Sequence, residues 1–184
     1  MTLKIGTRGS RLALWQANYV RNLVINKFPD IIVEIVKIKT TGDKILETAL
    51  FQINDKGLFT KELEKELIEG RIDMAVHSLK DLPTELPEGL KIGAVTKREL
   101  PNDVLIAKDK SLTIENLRLG ARIATSSLRR RAQLLIKRLD FHLEDIRGNV
   151  NTRIEKLFKS DLDGLILAYA GIERLGLNEY ISQI

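Results

Sequence analysis

The chain has 184 residues and a mass of 20.8 kDa, which is enough for one domain or two small domains with a hydrophobic core. Because it contains no cysteine, the sequence excludes disulfides, thiolate metal sites and a cysteine nucleophile. Its 30 basic and 25 acidic residues give a net charge of +5, which favours anionic ligands without choosing among them. No apolar run reaches the roughly 18–20 residues that span a bilayer, and no secretory leader pattern opens the chain. We therefore expect a cytoplasmic protein without a membrane partner.

Apolar runs and turn residues in the first half of the chain predict alternating strands and helices. Strands are predicted at Leu3–Thr7, Ile31–Lys39, Ile72–His77 and Leu90–Val95. One helix is predicted to include Leu12 to Val24 and to end before Pro29. A second is predicted from Lys61 to Glu69, with Thr60 as its N-cap and Gly70 directly after its end. Between the two helices, the polar and glycine-containing segment Thr40–Phe59 is predicted to be a mobile loop.

The pattern restarts after the polar, proline-containing segment Lys97–Asp103, which is the best candidate for a linker. Beyond it, strands are predicted at Val104–Ala107, Arg122–Thr125, His142–Ile146 and Gly164–Ala168. Helices are predicted at Ser127–Arg138, Asn149–Lys159 and Ala170–Leu175. The predicted fold class is therefore α/β, with two domains at residues 1–96 and 104–184, mainly parallel sheets flanked by helices, and a cleft between the domains. In such sheets, ligands bind at the carboxyl ends of the strands.

Three predicted strand-to-helix junctions share small or hydroxyl residues that are followed by arginine: Thr7–Arg11, Thr125–Arg131 and Arg147–Arg153. The free N–H groups and the dipole at a helix start attract anions, whereas an arginine at that position is locally unfavourable. Arginines on a solvated helix face are common, so one such junction would carry little weight. Three junctions of one type at strand ends favour a site for carboxylates or phosphates, which guanidinium groups bind in a bidentate manner.

The motif HSLKDLP, His77–Pro83, follows an apolar run and places Lys80 next to Asp81. A carboxylate among cationic side chains stays ionised, and it could stabilise a positive charge that develops on a substrate held by the arginines. The alternative is that Asp81 is a turn residue or an N-cap, or that it forms a surface ion pair with Lys80. The functional interpretation gains weight because the same edge of the cleft is predicted to be rich in arginine.

Other site chemistries fit the sequence less well. The two histidines, His77 and His142, lack the spacing of metal ligands, so no metal site is predicted. The sequence has no glycine-rich phosphate-binding motif. Its aromatic residues, one Trp, three Tyr and five Phe, are spread through the chain, and this argues against a nucleic-acid partner.

Seven longer motifs occur along the chain: IGTRGSRLALWQ, KTTGDKI, KGLFTKEL, DMAVHSLKDLP, ATSSLRRRAQL, IRGNVNTR and LAYAGIERLG. In their order and spacing the chain resembles the porphobilinogen deaminase (hydroxymethylbilane synthase) family over essentially its whole length. The resemblance implies a transferase that joins four porphobilinogen units into the linear tetrapyrrole hydroxymethylbilane and releases ammonia at each step, on the path to haem. It also implies a monomer with two domains like those of periplasmic binding proteins, followed by a third, C-terminal domain.

The resemblance also implies roles for residues at matching positions. Asp81 matches the catalytic carboxylate, which would hold pyrrole N–H groups and stabilise the cationic intermediate formed when the amine leaves. Lys56 and Phe59 match the flexible loop over the cleft, in which Asn54 and Asp55 replace two glycines that are usual in the family. The groups that match those binding the acetate and propionate side chains of cofactor, porphobilinogen and growing oligopyrrole are Arg8, Ser10, Ser78, Lys80, Thr125, Ser127, Arg129, Arg130, Arg147, Gly148, Arg153 and Arg174.

The family's dipyrromethane cofactor is linked to a cysteine of the third domain, and this sequence contains neither that domain nor any cysteine. We therefore expect a truncated or partial sequence, or a split or decayed gene, with a first domain that lacks its return strands. We also expect the 184 residues to be inactive or very weakly active on their own. The alternative from a different functional class is a non-catalytic two-domain module that binds a small carboxylate ligand.

Overall fold

A computed structural model of the protein describes residues 1–44 and 59–184. These residues form two compact units, the first from residues 1–44 and 59–96 and the second from Lys97–Ile184. Most of the predicted loop Thr40–Phe59, including the candidate residue Lys56, lies outside the described residues. The predicted linker differs from the structure at its last residue, because Asp103 already belongs to a strand.

The first unit contains a three-stranded parallel sheet in the order β2-β1-β3. Its strands are β1 (Thr2–Thr7), β2 (Ile32–Lys37) and β3 (Met74–Ala75). Its helices are α1 (Arg11–Lys27), α2 (Thr41–Lys44) and α3 (Lys61–Ile68), and a 3-10 helix covers Leu79–Asp81. Ile5 and Val33 of the sheet pack against Ala17 of α1, so the carboxyl end of β1 lies beside the start of that helix.

One strand prediction in this unit is too long and another is wrong. β3 covers only Met74–Ala75 and pairs with β1 alone, although a strand was expected over Ile72–His77. No strand forms at residues 90–95, and residues 91–100 are all exposed. An apolar stretch becomes a strand only where a neighbouring strand accepts its backbone hydrogen bonds, and within the described residues β1 is the only strand that pairs with β3.

The predicted start and end of α3 are close to those observed, but the cap differs. Thr60 precedes the helix and its carbonyl accepts a hydrogen bond from the Glu64 amide at 2.8 Å, yet its hydroxyl does not cap the helix. That hydroxyl is buried and has no hydrogen-bond partner among the described residues. Gly70 lies two residues after the helix end with a φ of +67°, the left-handed conformation expected of a glycine at this position.

The second unit contains a five-stranded sheet in the order β6-β5-β7-β4-β8. Its strands are β4 (Asp103–Ala107), β5 (Arg122–Ala124), β6 (His142–Glu144), β7 (Gly164–Ala168) and β8 (Ile181–Gln183). Its helices are α4 (Leu128–Lys137), α5 (Val150–Lys159) and α6 (Tyr169–Arg174), and a second 3-10 helix covers Asn178–Tyr180. β5 pairs in parallel with β6 and β7, whereas β4 is antiparallel to β7 and β8. The predicted α/β class with mainly parallel sheets is confirmed, and β8 is a strand that was not predicted.

The two faces of this sheet bury separate clusters, because successive side chains of a strand point to opposite sides. Ile106 of β4 packs on one face with Leu157 of α5, and Leu105 packs on the other face with Leu134 of α4. The two helices therefore cover opposite faces, and their first turns follow the carboxyl ends of β5 and β6. None of the helices in the described ranges is long and apolar enough to cross a membrane.

Candidate ligand-binding and active site

A small cavity of about 60 Å³ lies in the first unit, between the start of α1 and the segment that follows β3. Five of the predicted site residues line it: Arg8, Ser10, Phe59, Ser78 and Asp81. The cavity therefore combines a guanidinium group, two hydroxyls and a carboxylate with one aromatic ring. Because β1 and β3 are parallel neighbours, their carboxyl ends bring residues that are distant in sequence to one edge of the sheet.

Ser10 is the N-cap of α1. Its backbone is extended, and its hydroxyl accepts a hydrogen bond from the Ala13 amide at 3.3 Å. This contact satisfies one of the free N–H groups at the helix start. The capped turn fixes the direction in which the chain leaves β1, and it places Arg8 and Ser10 at the cavity.

The guanidinium group of Arg8 lies over the ring of Phe59, with 4.1 Å between the Arg8 Cζ and the ring centroid. A cation–π contact of this kind stabilises the pair by about 0.5–2 kcal/mol, and more as water is excluded. It orients the Arg8 side chain at the cavity wall. Phe59 is thus a contact of Arg8 and not only a residue of the predicted loop.

Ser78 connects the cavity to α1. Its hydroxyl accepts a hydrogen bond from the Gln16 Nε2 at 2.8 Å, and its carbonyl accepts one from the Asp81 amide at 2.9 Å. The second contact closes the 3-10 turn that carries Lys80 and Asp81. Asp81 is exposed and lines the cavity, whereas Lys80 is exposed and is not among the lining residues.

His77 is half-buried in the same cavity wall. Burial has the largest effect on the pKa of His77 and lowers it, the carboxylates of Asp81 and Glu64 raise it, and the charge of Arg8 lowers it. The net result is a pKa below the ordinary value of 6.5, so the imidazole is neutral at neutral pH. His77 is therefore within electrostatic reach of both Arg8 and Asp81.

In the second unit, the predicted junction Thr125–Arg131 forms the connection from β5 to α4. Thr125 is buried, its amide donates to the Glu144 carbonyl at 2.8 Å, and its hydroxyl accepts from the Ser127 amide at 3.3 Å. Ser127 is the N-cap of α4, and its hydroxyl accepts from the Arg130 amide at 3.5 Å. The turn that the sequence predicted is thus held by its own hydroxyl groups.

The arginine run at the start of α4 has a protein carboxylate as a partner. Asp103 of β4 accepts hydrogen bonds from Arg129 at 2.9 Å and from Arg130 at 2.7 Å. Partial burial tends to raise the pKa of Asp103, but these hydrogen bonds and charges outweigh it and hold the pKa below its usual value. Part of the charge that the sequence assigned to a bound anion is therefore neutralised within the protein. Arg131 lies apart from Asp103 and donates to the Leu143 carbonyl at 3.1 Å.

The junction Arg147–Arg153 forms the connection from β6 to α5. Gly148 has a φ of +115°, and a Cβ atom there would lie 2.8 Å from the Thr152 Cγ2, so this turn requires glycine. The carbonyl of Gly148 accepts a hydrogen bond from the Arg153 Nε at 2.7 Å. Burial, and then the charges of Arg130 and Arg147, lower the pKa of Arg153. The three arginines therefore form one cationic cluster in the second unit.

Two predicted site residues, Arg174 and Lys56, belong neither to the cavity of the first unit nor to the two junctions of the second. Arg174 lies in the last turn of α6, the short helix that follows β7. Lys56 lies outside the described residues. Within the described ranges, no group of three or more His, Asp or Glu side chains comes together as a set of metal ligands.

Sequence reasoning missed three residues that the structure adds to these sites. Gln16 was assigned to the helical pattern of α1, His77 was rejected as a metal ligand and given no other role in a site, and Asp103 was assigned to the linker. The signal that could have identified His77 is its place in the same motif as Asp81. Gln16 and Asp103 have no such local signal, since each contacts a residue more than 25 positions away along the chain.

Comparison with protein-family models matches residues 3–184 to the family described as porphobilinogen deaminase, dipyromethane cofactor binding domain. The chain belongs to the porphobilinogen deaminase family. The curated porphobilinogen deaminase of Syntrophomonas wolfei subsp. wolfei is 61% identical over 180 residues, which cover 98% of this chain and 58% of that protein. That of Desulforamulus reducens is 56% identical over 182 residues, which cover 99% of this chain and 59% of that protein. The chain thus spans a little under three fifths of the length of these relatives.

Among solved structures, the periplasmic aliphatic sulphonate binding protein SsuA from Escherichia coli is similar with a TM-score of 0.45 and 13% sequence identity. The similarity covers 99% of this chain and 56% of that chain. The assignment of the α/β class depends on the strand order and pairing described above.

The cationic cluster of the second unit fits a group with several carboxylates, such as the dipyrromethane of the porphobilinogen deaminase family. The charges of Arg130 and Arg147 lower the pKa of Arg153, and a bound anion would offset that effect. The Nε of Arg130 is buried and makes no hydrogen bond to the described residues. The two terminal nitrogens of this guanidinium group already donate to the Ile166 carbonyl at 3.1 Å and to Asp103 at 2.7 Å. The 184 residues contain no cysteine to which the cofactor could be linked.

Proposed function

We propose that the complete protein is a porphobilinogen deaminase, which joins four porphobilinogen units into hydroxymethylbilane and releases one ammonia at each step. The observation that carries this proposal is the position of Asp81 in a cavity whose other polar groups include Arg8, Ser10 and Ser78. A carboxylate in a site that otherwise favours anions is useful to a reaction that develops positive charge. Membership of the porphobilinogen deaminase family supports the same reaction.

Asp81 would accept hydrogen bonds from pyrrole N–H groups and would stabilise the cation that forms on the substrate as its amine leaves. Opposite unit charges about 4 Å apart attract by roughly 4 kcal/mol at the effective dielectric constant of a protein surface. A difference of this size between ground state and transition state corresponds to a factor of about 10³ in rate. Electrostatic stabilisation by one fixed carboxylate is therefore a sufficient role for Asp81.

The carboxylates of substrate and cofactor would be bound by the hydroxyl and guanidinium groups of both units. Arg8, Ser10, Ser78 and Lys80 are the proposed binding groups of the first unit. Those of the second unit are Thr125, Ser127, Arg129, Arg130, Arg147, Gly148, Arg153 and Arg174. When bound, dipyrromethane supplies the pyrrole end to which substrate units are added. Lys56 and Phe59 remain the proposed residues of the flexible loop.

A non-catalytic module for a small carboxylate is less well supported. Such a module gains nothing from Asp81, since a second anion in the site repels the ligand. The family match also favours an enzyme over a binding module.

The proposal is tested by mixing the protein translated from the complete reading frame with porphobilinogen. We expect porphobilinogen to be consumed and ammonia to appear in a ratio of one to one. Binding without consumption would support the carboxylate module instead. Binding to nucleic acid that weakens steeply with salt, with no consumption of porphobilinogen, would also contradict the proposal.

The same proposal includes a cytoplasmic monomer that needs neither a membrane nor a nucleic acid. Light scattering on the complete protein is expected to give the mass of one chain. A dimer, or co-sedimentation with lipid vesicles, would contradict this part of the proposal and would leave the proposed reaction unaffected.

A further inference from the structure

Four hydroxyl groups of the proposed ligand-binding set share one feature: each accepts a hydrogen bond from an N–H group of the protein. The four contacts are Ala13 N to Ser10 Oγ at 3.3 Å, Gln16 Nε2 to Ser78 Oγ at 2.8 Å, Ser127 N to Thr125 Oγ1 at 3.3 Å, and Arg130 N to Ser127 Oγ at 3.5 Å.

A hydroxyl group that accepts from the protein still has its proton to donate. A ligand carboxylate offers acceptors only, so it is bound by hydroxyls in this state. Ser126 lies between Thr125 and Ser127 and shows the contrast: it accepts from the Ile146 amide at 3.0 Å and donates to the Ile146 carbonyl at 2.9 Å. Its proton is already used, and it is not one of the proposed ligand-binding residues.

Three of the four N–H donors are backbone amides, which a substitution does not remove. Gln16 of α1 is the one side-chain donor among them, and it lines the same cavity as Ser78 and Asp81. We propose that Gln16 is a positioning residue, which sets the Ser78 hydroxyl as a hydrogen-bond donor to a carboxylate of the substrate. This inference rests on the proposed function, because it takes its ligand from there.

The chemistry of position 16 makes the proposal specific. A glutamate there has almost the same shape but is acceptor-only when ionised, so Ser78 would donate to it and lose its proton for the ligand. A methionine keeps the length of the side chain and removes the donor. Asn18 provides a matched control on the same helix, because its Nδ2 donates to the Leu14 carbonyl at 2.8 Å and is exposed to solvent.

The experiment measures affinity by calorimetry on the complete protein. The first probe is the analogue of porphobilinogen in which a methyl group replaces the aminomethyl group, so that no amine can leave. The second probe is glutarate, a plain dicarboxylate. The variants are Gln16→Glu, Gln16→Met, Ser78→Ala, Gln16→Met with Ser78→Ala, and the control Asn18→Leu.

We expect Gln16→Glu to weaken binding of the analogue about tenfold or more, which is the usual effect of losing a hydrogen bond to a charged group. Gln16→Met should weaken it several-fold in the wild-type background and have no further effect once Ser78 is alanine. Asn18→Leu should leave the affinity unchanged. Independent effects of Gln16→Met and Ser78→Ala would overturn the inference, since a general loss of packing at α1 would not depend on Ser78.

Two results separate this inference from the proposed function. If the analogue binds but Gln16 and Ser78 are not coupled, the inference fails and the proposed function stands. If glutarate binds with the same coupling but the analogue does not bind, the positioning role stands and the proposed substrate is wrong. Absence of binding for both probes would contradict both.

Discussion

At the scale of single residues, Arg8 and Asp81 face His77 with opposite charges. The Arg8 charge lowers the pKa of His77 and the Asp81 charge raises it, on top of the decrease caused by burial. We therefore expect Asp81→Asn to lower the pKa of His77 further, and Arg8→Gln to raise it. An NMR titration of the imidazole measures both shifts directly.

The control is Glu85→Gln, which removes an exposed carboxylate that does not line the cavity. This variant should leave the His77 titration unchanged. Shifts of the same sign in Asp81→Asn and Arg8→Gln would contradict the arrangement of charges around the cavity.

The residues of this cavity could be predicted to different degrees from the sequence. Arg8 directly follows β1, and Asp81 lies in the 3-10 helix that comes after β3. Parallel strands bring the segments that follow them to one edge of a sheet. Gln16 could not be predicted, because its contact with Ser78 depends on how α1 packs across β1 toward the end of β3. No local pattern encodes a contact of that kind.

At the scale of elements, the end of α4 is joined to the chain that precedes β5 by Arg138 and Asp140. Arg138 donates to the Leu117 carbonyl at 2.8 Å and forms an ion pair with Asp140, which also accepts from the Gly120 amide at 2.9 Å. These contacts, with the Arg138 hydrogen bond as the largest, lower the pKa of Asp140 to about 2.

A carboxyl group whose pKa is lowered on folding stabilises the folded state above its unfolded pKa, and the contribution is lost as the pH falls through the folded pKa. The free energy of unfolding should therefore decrease between about pH 4 and pH 2 because Asp140 becomes protonated. Urea unfolding of Asp140→Asn should show a shallower decrease over this range. An equally steep decrease in Asp140→Asn would contradict the role of this ion pair.

The contact between β4 and α4 leads to a second prediction at this scale. Asp103→Asn removes the charge that pairs with Arg129 and Arg130, and we expect a loss of about 1–3 kcal/mol in the free energy of unfolding. The two freed guanidinium groups should then respond more strongly to anions. The increase in Tm on adding citrate should be larger in Asp103→Asn than in wild type.

Asp109→Asn is the control for this change, because Asp109 is exposed and accepts hydrogen bonds from Ser111 rather than from an arginine. Its response to citrate should equal that of wild type. A smaller response in Asp103→Asn than in wild type would show that Asp103 holds the arginines in place for the anion instead of competing with it.

Helices and strands were predicted well where the pattern of apolar residues was long and was bounded by turn residues. α1, α4 and α5 were predicted as helices, and the structure adds Ser10, Ser127 and Asn149 as their caps. The short strands were predicted less well: β3 is shorter than expected, the strand at residues 90–95 is absent, and β8 was missed. Strands depend on neighbours elsewhere in the chain, and their sequence pattern does not show whether such neighbours are present.

At the scale of the whole molecule, the sequence predicts two α/β regions, and the described residues form two compact units with α/β topology. Anion binding was predicted because three strand ends share one composition, and it stays a prediction. The contact between Arg130 and Asp103 could not be predicted, since the two residues are 27 positions apart and Asp103 belongs to the segment that was predicted to be a linker. The proposed reaction rests on family membership together with the position of Asp81, and not on composition.

In the proposed function, Asp81 stabilises positive charge that develops on the substrate. The most direct test is the single-turnover rate of ammonia release from porphobilinogen by the complete, cofactor-loaded protein, with wild type and Asp81→Asn compared at saturating substrate. We expect a rate at least about 10³-fold lower in Asp81→Asn, because a neutral amide of the same shape cannot replace the charge, with the affinity for the methyl analogue reduced far less. Ammonia release from Asp81→Asn at a rate close to that of wild type would rule out this role of Asp81.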